Sequence, residues 1–259
     1  MRSLALSAAV GLAFLASSAP AAARAQTPDV GCFVSAYPGY LCGVAGEEVT
    51  LCAGGTLPRA HLADMLSEPY PPVGTWPPRP DGDPGRIRHE PFFEGLYGAT
   101  AAEVESRLVA VRWFGRVVRV TRAAGAADRL RAVRDELARL PRRFQPFFRE
   151  TAGTFVWRTI HGSTWRSMHS YGIAIDVGVP RADYWRWVPG ATRSEAAPAY
   201  RNRFPREVVD VFERHGFIWG GRWQHFDTMH FEFRPELLCD AARRLPRSPP
   251  GREAADLPQ

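Results

Sequence analysis

Apolar residues recur every three or four positions along 125–140. Leu130, Val133, Leu137 and Leu140 share one stripe, and Arg, Asp and Glu occupy the rest, which predicts an amphipathic helix stopped by Pro141. Thr100-Ala101-Ala102-Glu103 is a capping-box pattern and predicts a short helix after it. A third helix is expected from Pro205, with Val208, Val209 and Phe212 facing inward and Gly216 closing it. Runs rich in Val and aromatics predict strands at 113–121 and 153–160, the second leading into a turn at His161-Gly162-Ser163. Short strands are also predicted at 173–179, 217–219 and 229–233, the last two flanking a Gly220-Gly221 turn. Helices and strands do not alternate as regular βαβ units. The expected fold class is therefore α+β, a small antiparallel sheet with flanking helices.

The two ends break this pattern. Arg2, the apolar stretch Leu4 to Ala16 and Ala23-Arg24-Ala25 have the charge, length and small-x-small ending of a signal peptide over 1–25. The apolar stretch is too short to span a membrane, and no later segment approaches that length, so an exported protein is expected, periplasmic or secreted. Residues 26–90 are expected to form a disulfide-stapled arm followed by an extended wrap, because seven prolines and three glycines crowd 66–90. Residues 91–239 hold the main domain, and 240–259 read as a disordered tail. Cys32, Cys42 and Cys52 cluster near the start and Cys239 lies far away. If all four are paired, one bridge must tie Cys239 to the arm. A structural zinc site made of the four thiolates is the weaker reading, as there is no C-x-x-C.

The precursor carries a net charge of +6, and all 33 basic residues are Arg. Removing Arg2 and Arg24 leaves 31 − 27 = +4. Such a mild excess reads as a solvated Arg-rich surface and does not indicate a nucleic-acid partner.

The chemistry concentrates in two runs. In Ser167-Met168-His169-Ser170-Tyr171-Gly172-Ile173-Ala174-Ile175-Asp176, the histidine precedes a turn and the aspartate lies within an apolar strand. A carboxylate there must be paired or metal-bound. This run alone is equally compatible with a buttressing His–Asp hydrogen bond. The second run is Asp227-Thr228-Met229-His230-Phe231-Glu232. Strand alternation puts His230 and Glu232 on one face and the phenylalanines on the other. Two imidazoles, a carboxylate and a further carboxylate three residues before the last histidine make up the inventory of a catalytic zinc site.

Together the two runs resemble the VanY-type D-alanyl-D-alanine carboxypeptidase family of zinc peptidases, whose relatives include L-alanyl-D-glutamate endopeptidases. The first motif, Ser-x-His-x-x-Gly-x-Ala-x-Asp, is matched at Ser167, His169, Gly172, Ala174 and Asp176. The second is matched at Gly216, Phe217, Trp219, Gly220, Gly221, Asp227, His230 and Phe231, and the approach Gly153 to Arg158 is similar too. The likeness spans roughly 90–238. It implies a hedgehog/D-Ala-D-Ala-peptidase-like fold and a zinc cofactor held by His169, Asp176 and His230. It further implies Asp227 as general base and acid, where the family often has Glu. Arg158 would hold the oxyanion or a substrate carboxylate, and Ser167 would hydrogen-bond within the site. The substrate would be a peptidoglycan stem peptide, cut at D-Ala-D-Ala or at L-Ala-D-Glu, and a monomer is expected. The alternatives are a non-catalytic zinc-containing cell-wall-binding protein and a wall-binding module with no zinc.

Overall fold

The computed structural model describes residues 29–78, 80–191 and 198–239. The expected signal peptide and the expected tail both lie outside them. In chain order the elements are α1 (Gly31–Ala36), β1 (Leu41–Ala45), β2 (Glu48–Leu51), β3 (Thr56–Pro58), α2 (Arg59–Met65), α3 (Glu90–Tyr97) and α4 (Ala101–Arg107). There follow β4 (Leu108–Trp113), β5 (Arg116–Thr121), α5 (Ala126–Leu137), β6 (Thr151–Gly153), β7 (Ala174–Val177), α6 (Arg206–Arg214), β8 (Phe217–Trp219) and β9 (His230–Phe233). All strand pairing is antiparallel, in a three-stranded sheet β1-β2-β3, a hairpin β4-β5 and a four-stranded sheet β6-β7-β9-β8. The fold is α+β, as the pattern predicts. Among the described residues no helix is long and apolar enough to cross a membrane.

The helices follow the sequence signals closely. In α5, Leu130, Val133 and Leu137 are buried. In α6, Val208, Val209 and Phe212 are fully buried, and Phe212 stacks on Phe231 of β9 at 3.9 Å between ring centroids. The cap of α4 forms through Glu103 N donating to Thr100 Oγ1, while the Glu103 carboxylate accepts from Ala99 N. Two strand expectations need correction. The run 113–121 is not one strand: it holds the end of β4, the turn and β5 of a hairpin that begins at Leu108, because Phe114 and Gly115 both take positive φ, 41° and 90°, and turn the chain. Such φ values at both central positions suit the right-handed twist of the flanking strands. Of 153–160, only Gly153 is in a strand; the backbone beyond it is irregular.

The arm and the wrap are tied to the rest by long-range polar contacts. Cys42 pairs with Cys52, and Cys32 pairs with Cys239. Tyr37 donates to Glu236 at 2.5 Å. In the wrap, Tyr70 donates to Glu213 of α6 at 2.7 Å and accepts from Trp219 N. Arg222 grips the same Glu213 with two nitrogens, at 2.9 and 3.1 Å, and donates to Thr75 O. One continuous apolar core runs from Val30 to Leu237.

Candidate functional site

Strand pairing supplies two of the polar side chains. β7 and β9 are in register with Asp176 opposite His230, so the two groups project from neighbouring positions on one sheet face. The third comes from the 3-10 turn Met168–Tyr171 that leads into β7. Gly172 ends this turn at φ 66°, and a Cβ there would lie 2.5 Å from Leu108 Cδ2 and 3.3 Å from Thr121 N. Only glycine fits that conformation and that approach. Gly172 O accepts from Thr121 N, which fastens the turn to the hairpin. The Ser170 hydroxyl adds a second fastening: it accepts from Arg158 N at 2.9 Å and faces the carbonyls of Val156 and Arg158.

Three atoms converge as a result. His169 Nε2 is 3.2 Å from Asp176 Oδ1 and 3.3 Å from His230 Nδ1, and His230 Nδ1 is 3.0 Å from Asp176 Oδ1. Among the described residues this is the one group of three or more His, Cys, Asp or Glu with ligand atoms close enough to share an ion. The outer partners fix the tautomers. His169 Nδ1 faces the Thr154 carbonyl at 3.1 Å, and His230 Nε2 faces a Glu232 carboxylate oxygen at 3.1 Å. Both partners can only accept, so both outer nitrogens carry the ring protons. The two inner imidazole nitrogens and a carboxylate oxygen are then aimed at one point, where a second proton on His230 and a cation compete for the same place. A metal cation satisfies all three at once, and the donor set suits zinc. The electrostatics agree. Burial works against a charged His230, yet its bonds to Asp176 and Glu232 lift it to about 9. Burial also opposes ionisation of Asp176, but the flanking imidazoles hold it well below the usual carboxylate range. The site favours a positive charge at that point.

Behind His230 lies a fully buried ionic chain. Glu232 pairs with Arg88 Nη2 at 3.2 Å and with Arg234 Nη1 at 3.0 Å, and Arg234 Nε reaches Glu236, which Tyr37 also bonds. Burial disfavours the Glu232 carboxylate, but Arg88, His230 and Arg234 outweigh it and hold Glu232 far below its ordinary value. Glu232 is thus an obligate acceptor for the His230 ring.

Asp227 lies beside the group, and its Oδ1 is buried with no hydrogen-bond partner. Burial pushes its carboxyl up to about 6, with Asp176 adding to the rise and His230, Arg86 and His169 opposing it. The backbone fixes it from two sides. Asp227 N donates to Gly220 O at 3.0 Å, and Tyr184 bridges to Asp227 across an antiparallel contact. Asp83 of the wrap holds the loop before it through His225, at 2.9 Å to the amide and 2.6 Å to Nδ1. Pro84 O accepts from Trp223 Nε1, whose ring lies 5.5 Å from that of His230.

The structure therefore gathers His169, Asp176 and His230, with Asp227 alongside. Arg158 is exposed, and its guanidinium bonds Thr159 O. The Ser167 side chain is buried without a hydrogen bond among the described residues; Ser170 makes the bonds expected of it. Sequence reasoning passed over Ser170, Thr154, Arg88 and Arg234 as site-forming residues. The signal for Arg88 and Arg234 was their nearness to buried runs, where an arginine needs a carboxylate. No curated protein and no solved structure gives a significant match to this chain. Residues 161–233, which carry His169, Asp176, Asp227 and His230, match the family model described as D-alanyl-D-alanine carboxypeptidase, in support of the VanY-type resemblance seen in the sequence.

Proposed function

We propose that this protein is an exported zinc metallopeptidase that hydrolyses peptidoglycan stem peptides, at D-Ala-D-Ala or at L-Ala-D-Glu. The observation that carries the reading is the convergence of His169 Nε2, His230 Nδ1 and Asp176 Oδ1, with the outer nitrogen of each ring bonded to an acceptor. His169, Asp176 and His230 would hold the zinc, which when bound supplies Lewis acidity and water that ionises near neutral pH.

The chain's own groups do the rest. Asp227 has a free carboxylate oxygen and an affinity for protons raised towards neutrality. A carboxyl so tuned accepts a proton from the attacking water and returns it to the leaving amine. Glu232 and Thr154 keep the imidazoles oriented. Arg158 stands on the exposed side, where its fork of donors can meet substrate oxygens. The two disulfides fit an oxidising compartment and so support export.

The test combines metal analysis of the purified protein with mass spectrometry of muropeptides incubated with and without a chelator. About one zinc per chain and chelator-sensitive loss of D-Ala, or cleavage after L-Ala, are expected. Stoichiometric zinc without any cleavage would favour the non-catalytic wall-binding reading. Absence of stoichiometric zinc would overturn the metal site.

A further inference from the structure

We propose that Arg86, supplied by the proline-rich wrap, determines specificity by binding a free carboxylate on the substrate residue that follows the scissile bond. This rests on the peptidase reading above and names what that site recognises. Arg86 lies outside the segment 161–233 that matches the family model.

The backbone around Arg86 is fixed against the site. Asp83 holds His225, Pro84 O accepts from Trp223, and Gly85 O accepts from Arg88 Nε and Arg234 Nη1. Arg86 N donates to Asp83 O at 3.0 Å. These bonds fix the backbone on both sides of the position from which the side chain departs.

Its guanidinium sits over an aromatic ring that neighbours His230. The guanidinium carbon is 3.9 Å from the centroid of Trp223, and the Trp223 ring is 5.5 Å from that of His230. Its charge favours the ionised forms of Asp227 and Tyr184, the two residues that bridge at the edge of the site.

Arg86 is also unsatisfied. Its side chain makes no hydrogen bond or ion pair among the described residues, and its Nε is shielded from solvent with no partner. The nearby Arg88, Arg222 and Arg234 each grip a carboxylate. Asp83 is close enough to feel Arg86, yet its oxygens are taken by His225. A stacked guanidinium keeps its donor edge free, and that edge matches a carboxylate in a two-point contact. The carboxylate has two possible sources, the C-terminus of D-Ala-D-Ala or the group left free on D-Glu.

Zinc-loaded full-length protein is assayed for kcat/KM on two substrate pairs. One is a stem peptide ending in D-Ala-D-Ala as the acid and as its C-terminal amide. The other spans L-Ala-D-Glu with the D-Glu carboxylate free or as its carboxamide. Wild type is expected to prefer the acid of whichever pair it cuts by roughly 10–150-fold, the worth of a charge-assisted contact. In Arg86→Gln this acid-to-amide ratio should fall to near one, and Arg86→Lys should keep part of it. A ratio unchanged in Arg86→Gln, whether both rates fall together or neither does, would overturn the proposal, as would a wild type with no acid preference. Calorimetric binding of N-acetyl-D-alanine against N-acetyl-D-alaninamide reads the same ratio without turnover. If wild type cuts neither pair, the peptidase reading fails while this binding ratio still decides Arg86. If Arg86→Gln does not fold, the Lys variant and the wild-type ratio decide it.

Discussion

Replacing Glu232 by Gln removes one charge from the buried chain behind His230. That chain holds Arg88 and Arg234 against Glu232 and Glu236, a balance of 2 − 2 = 0, which the substitution shifts to +1. All four side chains are essentially sealed from water. Stranding a buried charge in this way costs about 3–5 kcal/mol. For a chain of this size that is roughly 2–4 °C per kcal/mol, so the metal-free protein should melt some 6–20 °C lower. Gln still accepts from His230 Nε2, but as a neutral acceptor, and zinc affinity should fall about 10–100-fold. The assays are thermal unfolding by circular dichroism in chelator and competition for zinc with a chromophoric chelator. Because the folded Glu232 titrates far below its unfolded value of about 4.3, its contribution is complete above that pH and is lost only as the solution becomes strongly acidic. Because Glu232 also helps hold a proton on His230, the gap between variant and wild type should be widest from about pH 5 to the unfolded histidine value of about 6.5 and narrow as the pH rises towards 9. A double-mutant cycle with Arg88→Met should show coupling, since the pair restores neutrality. A metal-free variant within about 1 kcal/mol of wild type, or no coupling to Arg88, would refute the buried-charge argument.

Zinc at a hundred times its dissociation constant should raise wild-type stability by about 2.7 kcal/mol, and His169→Ala, Asp176→Ala or His230→Ala should abolish that rise in a thermal-shift titration. Asp227→Asn should retain zinc by metal analysis while hydrolysis falls by roughly 10²–10⁴-fold; unchanged turnover would remove the proton-transfer role. In Gly220→Ala the new Cβ would lie 2.5 Å from Asp227 O and 2.7 Å from the Trp223 ring, so turnover should drop with zinc retained. Ser170→Ala leaves the Arg158 amide without its acceptor and should cost about 1–3 kcal/mol in urea unfolding.

The helices α5 and α6 were readable because a single apolar stripe decides each of them, and the structure buries all the named residues but Leu140, which lies beyond the end of α5 and is half-buried. The candidate ligands were readable because short-range spacing carries most of their geometry: a turn before β7, and positions in β7 and β9. What stayed hidden depends on distant partners. The β4-β5 turn is made by Phe114 with positive φ, a residue type that no turn pattern flags. The sheet of the arm spans three short strands whose sequences alternate weakly. Arg88 meets Glu232 across 144 positions, and Tyr37 meets Glu236 across 199. A periodicity within one segment holds no information about such pairs.

The bond from His169 to the Thr154 carbonyl, and that from Glu232 to Arg88, both leave the segment 161–233. A transplant of that segment into another scaffold would carry the donor atoms but lose the groups that aim them. A host would have to provide a carbonyl and a guanidinium in the same places. Portability of this chemistry is thus limited by its outer supports rather than by its motif.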